Sequence, residues 1–153
     1  SKEVAKGQVV FIEGRVLDTQ NNPIEDAMVD IWQANAAGKY NHPLDTHDAP
    51  IDPNFQGWAI VKSGKNGAFR FKTIIPGTYP VNDKWTRPPH IHFKVSKSGY
   101  AEIITQMYFP DHELNAPDRL LNSKSEPQQA QMIASHVQNK KDTLEYNVIL
   151  DKV

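Results

Sequence analysis

Apolar and polar residues alternate with a period of two through most of the chain. In Ala27–Gln33 (AMVDIWQ), Ala27, Val29 and Ile31 fall on one side and Met28, Asp30 and Trp32 on the other. That is the pattern of a half-buried strand, in which successive side chains point to opposite faces. Val9–Leu17, Trp58–Lys62, Ala68–Lys72, His90–Ser96, Ile103–Phe109 and Thr143–Leu150 read as strands too. Asp18-Thr19-Gln20-Asn21-Asn22-Pro23 reads as a turn. Trp58–Lys62 and Ala68–Lys72 flank Ser63-Gly64-Lys65-Asn66-Gly67, whose Asn-Gly pair predicts a hairpin. Ser125-Glu126-Pro127-Gln128 has the S-x-x-Q form of a capping box with proline in the first turn. Ala130, Ile133, Ala134 and Val137 continue it at helical spacing. Asn35–Gln56 has no regular period, and a loop this long inside a compact domain is usually functional. Short strands with one late helix predict an all-β fold. The expectation is an antiparallel β-sandwich with long active-site loops and one short C-terminal helix, forming a single domain over residues 1–153.

Charge and composition remove several functions. Lys and Arg number 17 against 18 Asp and Glu, so the basic excess needed to hold nucleic acid or an anionic membrane is missing. The longest apolar runs, such as Val9-Val10-Phe11-Ile12, are far short of the roughly 20 residues of a bilayer span. There is no cysteine, which excludes disulfides, thiolate zinc sites, cysteine-ligated clusters and cysteine nucleophiles. A soluble protein is expected. Cytoplasm and export to the periplasm both fit a chain without cysteine that begins at Ser1 rather than Met.

The candidate chemistry begins at His90-Ile91-His92-Phe93-Lys94-Val95. With Ile91, Phe93 and Val95 facing a core, His90 and His92 point together to the other side. Their backbones are then about 7 Å apart, close enough for two imidazoles to converge on one metal ion. Without cysteine, the other ligands must be histidine, carboxylate or phenolate. A third histidine (His42, His47, His112 or His136) would make a zinc site, and Asp45, Asp48 or Asp52 would complete a ferrous facial triad. Tyrosine is the third option. Its phenol titrates near pH ~10, so only a strongly acidic cation such as ferric iron keeps it ionised at neutral pH. Tyr40, after Ala36-Ala37-Gly38, and Tyr79, in the Gly/Pro-framed turn Pro76-Gly77-Thr78-Tyr79-Pro80, are the candidates. Residue chemistry alone does not choose between phenolate and carboxylate.

Four segments together resemble the intradiol ring-cleaving dioxygenases, most closely the iron-bearing subunit of the protocatechuate 3,4-dioxygenases. They are Asp30-Ile31-Trp32-Gln33-Ala34-Asn35-Ala36-Ala37-Gly38-Lys39-Tyr40, Pro76–Pro80, Arg87-Pro88-Pro89-His90-Ile91-His92-Phe93 and Thr105-Gln106-Met107-Tyr108-Phe109. The resemblance runs over roughly residues 10 to 151 and implies a β-sandwich holding one non-haem ferric iron, Fe(III), per chain. The implied ligands are Tyr40, Tyr79, His90 and His92. Tyr79 is the implied leaving ligand and general base, with Arg87 and Gln106 beside the substrate. The implied reaction cleaves a catechol-type ring between its hydroxyl carbons with O₂ to give a cis,cis-muconic acid.

The match has departures. Val81 follows Tyr79-Pro80 where protocatechuate enzymes commonly carry tryptophan in the substrate pocket, and Thr86 separates Trp85 from Arg87. The chain shows neither the second, non-metal subunit of those enzymes nor the N-terminal helical segment of the catechol and hydroxyquinol enzymes. A homo-oligomer is nevertheless expected from the family. Lys39, Lys84 and Arg87 are candidates to meet an acidic substituent. Two alternatives accompany this reading. One is a zinc or ferrous enzyme on His90, His92 and a third ligand from His42–Asp52. The other is a non-catalytic transthyretin-like binding module, which Gly14-Arg15-Val16, Pro23–Val29 and Gly67–Phe71 also resemble.

Overall fold

The computed structural model describes residues 4–153; Ser1, which bears on the export reading, lies outside them. The strands are β1 (Val9–Asp18), β2 (Met28–Trp32), β3 (Trp58–Lys62), β4 (Ala68–Ile74), β5 (Tyr79–Asn82) and β6 (Trp85–Arg87). After them come β7 (His90–Ser96), β8 (Ile103–Tyr108), the helices α1 (Arg119–Asn122) and α2 (Glu126–Met132), and β9 (Ser135–Val137), β10 (Lys140–Glu145) and β11 (Val148–Leu150).

Two sheets pack face to face. One is ordered β3-β2-β7-β8 and is antiparallel throughout. The other is built on β1, which pairs antiparallel with β4 along one edge. Its other edge is shared by β10 and then β11, both parallel to β1. The sandwich is therefore as expected, with these two parallel pairings as the exception. With β4 occupying one edge of β1, the returning chain takes the other. A turn at Asn139 (φ 65°) between β9 and β10 sends it back in the direction of β1.

The inward positions form one core. Ile12 and Val16 from one sheet and Val29, Ile91, Phe93, Val95 and Met107 from the other are wholly buried. Phe93 is central, with its ring 6.2 Å from that of Phe69 and 4.9 Å from that of Tyr146. Truncating such a residue to alanine costs about 3–5 kcal/mol, so β7 is anchored through Ile91, Phe93 and Val95, which alternate with its two histidines.

Three local expectations are corrected. β3 and β4 do not form a hairpin: β3 pairs with β2, and β4 with β1 in the other sheet. The turn between them is pinned instead to both layers. Ser63, buried, donates from Oγ to Ile24 O (2.7 Å) and accepts from Ala27 N (2.8 Å), while Val16 N donates to Gly67 O (2.8 Å). Thr143–Leu150 is two strands, broken at Tyr146-Asn147. There Tyr146 N donates to Glu13 O (2.9 Å), and Asn147 Oδ1 accepts from Arg15 N (2.9 Å). The capping box at Ser125 is present, but α2 ends at Met132. Ala134 N bonds Tyr108 O of β8 (2.9 Å) and Val137 of β9 pairs with Lys140 of β10, so strand pairing outcompetes the next helical turn. A second helix, α1, precedes it. Together α1 and α2 pack Leu121 and Met132 on Tyr108, outside the main core.

Candidate metal centre

The outward face of β7 carries the site. His90 and His92 project from it with ring centroids 4.9 Å apart. Neighbouring strands bring further groups to the same face by register. Trp32 of β2 lies opposite His92, and its ring stacks on that imidazole at 5.0 Å and 3°. On β8, Gln106 lies opposite His92 and Tyr108 opposite His90.

Tyr40 reaches this face from the long loop after β2. Buried Asn35 organises that loop. Its Oδ1 accepts from Ala37 N (2.9 Å) and Lys39 N (3.0 Å), and its Nδ2 donates to Pro50 O (2.9 Å). Its backbone carbonyl accepts from Gly38 N (3.0 Å) and from Gly77 N (2.9 Å), so one residue ties the Tyr40 segment to the Tyr79 segment. The glycines permit the approach. Gly38 sits at φ +85°, and a Cβ there would lie 2.1 Å from Thr78 O. Two residues beyond Gly77, Tyr79 opens β5, and its ring stands edge-on to Tyr40 at 5.5 Å.

The donors converge. Tyr40 Oη lies 3.1 Å from His90 Nε2 and 3.0 Å from His92 Nε2. His90 Nδ1 is 2.7 Å from the Pro88 carbonyl, which places the proton on Nδ1 and leaves Nε2 an open lone pair. The one hydroxyl proton of Tyr40 serves only one imidazole. Which imidazole accepts that proton depends on the tautomer of His92, whose Nε2 stands at the same oxygen. Burial, with the nearby Arg87 charge, pushes His90 down to about 4. Burial, then His90 and Arg87, pushes His92 down to about 3. Both imidazoles are thus neutral, the form that binds a metal. Burial pushes the Tyr40 phenol well above its ordinary range, against the opposing pull of Arg87. Two imidazole nitrogens and a phenol oxygen, aimed at one point and held neutral, fit a metal ion.

Tyr79 is beside the cluster, with its hydroxyl donated to Asp45 Oδ1 (3.2 Å). Burial, and then the negative charge and hydrogen bonding of Asp45, raise its phenol. Asp45 is itself a loop brace. Its oxygens also accept from Tyr40 N (2.8 Å) and His47 N (2.9 Å). Burial pushes its carboxyl up, but these amides, the Lys39 charge and Tyr79 together hold it below the usual range. The histidines and carboxylates of His42–Asp52 supply no third ligand. Among the described residues no group of three or more His, Cys, Asp or Glu could hold a metal ion. Lys39, a candidate for an acidic substituent, instead donates to the carbonyls of Asp45 and His47 inside the loop. Lys84 is exposed between β5 and β6, and Val81 is exposed on β5.

A family model described as "Dioxygenase" matches residues 1–152. The chain is 41% identical over 132 residues to the protocatechuate 3,4-dioxygenase beta chain of Burkholderia cepacia, covering 84% of this chain and 56% of that one. The chain belongs to the intradiol dioxygenase family. A second relative in it, hydroxyquinol 1,2-dioxygenase of a Rhizobium species, is 30% identical, with 78% of this chain and 43% of its own length aligned. The chain thus spans about half the length of these curated relatives. The crystal structure of 3-chlorocatechol 1,2-dioxygenase from Rhodococcus opacus superposes with a TM-score of 0.79 at 25% identity, over 99% of this chain and 62% of that one. The dioxygenase domain of a carbohydrate-binding fusion from a Streptomyces species shares the fold at a TM-score of 0.73 and 24% identity, over 100% of this chain and 86% of that one.

Next to the donors, this intradiol dioxygenase chain has a buried polar network that periodicity does not reveal. Arg87, from β6, donates from Nη2 to Gln106 Oε1 (2.5 Å) and Tyr108 Oη (2.9 Å), and from Nε to Asp118 Oδ1 (2.8 Å). The ion-pair partner Asp118 is fully buried and is the N-cap of α1. In sequence, Asp118 before Arg119-Leu120-Leu121 signals at most a helix start.

Proposed function

We propose that the chain is a non-haem ferric intradiol dioxygenase. On this reading it opens a catechol-type ring between its two hydroxyl-bearing carbons, both atoms of O₂ entering a cis,cis-muconate product. The convergence of Tyr40, His90 and His92, with Tyr79 edge-on to Tyr40, carries this reading. A buried phenol held above its ordinary range ionises only against a strongly acidic cation, which favours ferric iron over zinc or ferrous iron. Tyr40, Tyr79, His90 and His92 would hold the iron. When bound, it supplies the electron withdrawal that makes a catechol dianion reactive toward O₂.

The chain's own groups do the rest. The Tyr79 hydroxyl has a second partner ready in Asp45, so Tyr79 Oη can give way to substrate and keep a substrate proton there as a general base. Arg87 puts positive charge beside the donors, where it stabilises negative charge building on the ring. Its hold on Gln106 sets that amide on the same face as His92. Val81, exposed next to Tyr79-Pro80 on β5, is the residue there that would meet a ring substituent. A β-sandwich binding module has no use for imidazoles and a phenol aimed at one point.

The test is a visible absorption spectrum with an iron assay, before and after anaerobic addition of protocatechuate, catechol or hydroxyquinol. A broad phenolate-to-ferric band that shifts with substrate, followed by oxygen uptake, is expected. A colourless protein that stays so after ferric loading would refute it. Tyr40→Phe should weaken and shift the band to that of the Tyr79 phenolate alone, whereas a zinc or ferrous site has no such band to lose.

A further inference from the structure

The geometry points to Asp118 as a positioning residue for ring cleavage: through its ion pair with Arg87 it sets where the guanidinium stands beside the metal donors. This rests on the ring-cleaving reading of the site.

An arginine side chain is long, and its planar fork directs charge usefully only when the plane is fixed. Arg87 is fixed at two of its nitrogens. Gln106 and Tyr108, both on β8, hold Nη2. Asp118 holds Nε at 2.8 Å. Nη1 makes no hydrogen bond among the described residues and is left for a ligand.

Asp118 is built to hold a direction. All four of its lone-pair sites are used. Oδ1 accepts from Arg87 Nε and from Trp85 Nε1 (3.2 Å), and Oδ2 accepts from Tyr108 Oη (2.6 Å) and Leu121 N (3.0 Å). The carboxylate thus joins β6, β8 and the start of α1. A carboxylate serving only as a helix cap would need neither arginine nor burial; the cap instead supplies a rigid base for the arginine. The charge so fixed lies beside the site: Gln106 and Tyr108, which hold Arg87 Nη2, lie opposite His92 and His90, and the Tyr108 ring is 6.5 Å from that of His90.

The experiment compares wild type, Asp118→Asn, Tyr108→Phe and Arg87→Gln, with each of the first two substitutions also placed in the Arg87→Gln background. The iron-loaded enzymes are assayed with protocatechuate, catechol and hydroxyquinol, and rates are expressed per iron. Asp118→Asn should retain the iron and visible band yet lower kcat about tenfold with little change in KM. In the Arg87→Gln background it should cost nothing further, because Asp118 acts through Arg87. In the metal-free chain, exchange of the Arg87 Nε–H should be slow in wild type and fast in Asp118→Asn. An unchanged kcat per iron, or equal losses in both backgrounds, overturns the inference. If Asp118→Asn does not fold, Tyr108→Phe decides. It frees the Asp118 carboxylate from the bond that orients it against Arg87 and should lower kcat about threefold, only where Arg87 is present; no loss overturns the inference. A wild-type chain with neither band nor turnover overturns the ring-cleaving reading and this inference with it. Normal wild-type turnover with indifferent variants overturns this inference alone.

Discussion

Replacing Gly38 with alanine tests whether backbone contact holds the two tyrosine segments together. At φ +85°, a residue with a Cβ costs roughly 1–2 kcal/mol. The added Cβ would also lie 2.1 Å from Thr78 O, where contacts become ordinary only at 3.4 Å, so the segments must part by about 1.3 Å. Overpacking of that kind costs about 1–3 kcal/mol, for a total of about 2–5 kcal/mol. At ~2–4 °C per kcal/mol for a chain of this size, Tm should fall by about 4–20 °C. A shift of Tyr40 by the order of 1 Å should lower turnover about 100-fold. Gly99→Ala is the internal control. Its φ is +90°, but nothing lies within 4 Å of the added Cβ. Only the conformational cost remains there, lowering Tm by about 2–8 °C with the site untouched. Thermal unfolding by circular dichroism and the visible band per mole of iron-loaded protein measure both effects. If Gly38→Ala matches Gly99→Ala in both, the clasp between the tyrosine segments does not exist as described.

Further expectations concern pH and the loop. Burial holds His90 at about 4 and His92 at about 3, so below the ordinary value of 6.5 the unfolded chain binds more protons than the folded one. The metal-free chain should therefore lose stability as pH falls from 6.5, by about 2 kcal/mol per histidine at pH 5. Urea titrations at neutral pH and pH 5 would show it, and the same loss in a His90→Gln/His92→Gln double variant would point to other groups. Asn35→Ala removes one acceptor serving two loop amides and a donor to Pro50 O, and should cost about 2–4 kcal/mol. An unchanged denaturation midpoint would contradict its place as the loop's organiser. Lys39→Met leaves the carbonyls of Asp45 and His47 unpaired and should weaken iron retention on dialysis more than it alters KM. A selective rise in KM for an acidic substrate would return Lys39 to the substrate pocket.

Strand identity was legible because period two is local. Ile91, Phe93 and Val95 alternate with His90 and His92, so burying the first set necessarily turns both imidazoles to the other face. The capping box at Ser125 was legible for the same reason, since its partners lie within one turn. The motifs around Tyr40, Tyr79, Arg87 and Gln106 pointed to an iron site by resemblance alone. Pairing partners and convergence were not legible. An Asn-Gly turn looks the same whether its strands pair with each other or, as here, with different sheets, because each strand's better partner lies elsewhere. The meeting of Tyr40 with histidines 50 and 52 residues away depends on Asn35 and on two glycines that let backbones touch. Asp118 shows the limit best. Local chemistry marks it as a helix cap, and only the packing of α1 against β6 and β8 makes it the buried partner of an arginine 31 residues earlier. Side-chain direction is set by the nearest few residues, but which groups share a site is set by how distant elements pack.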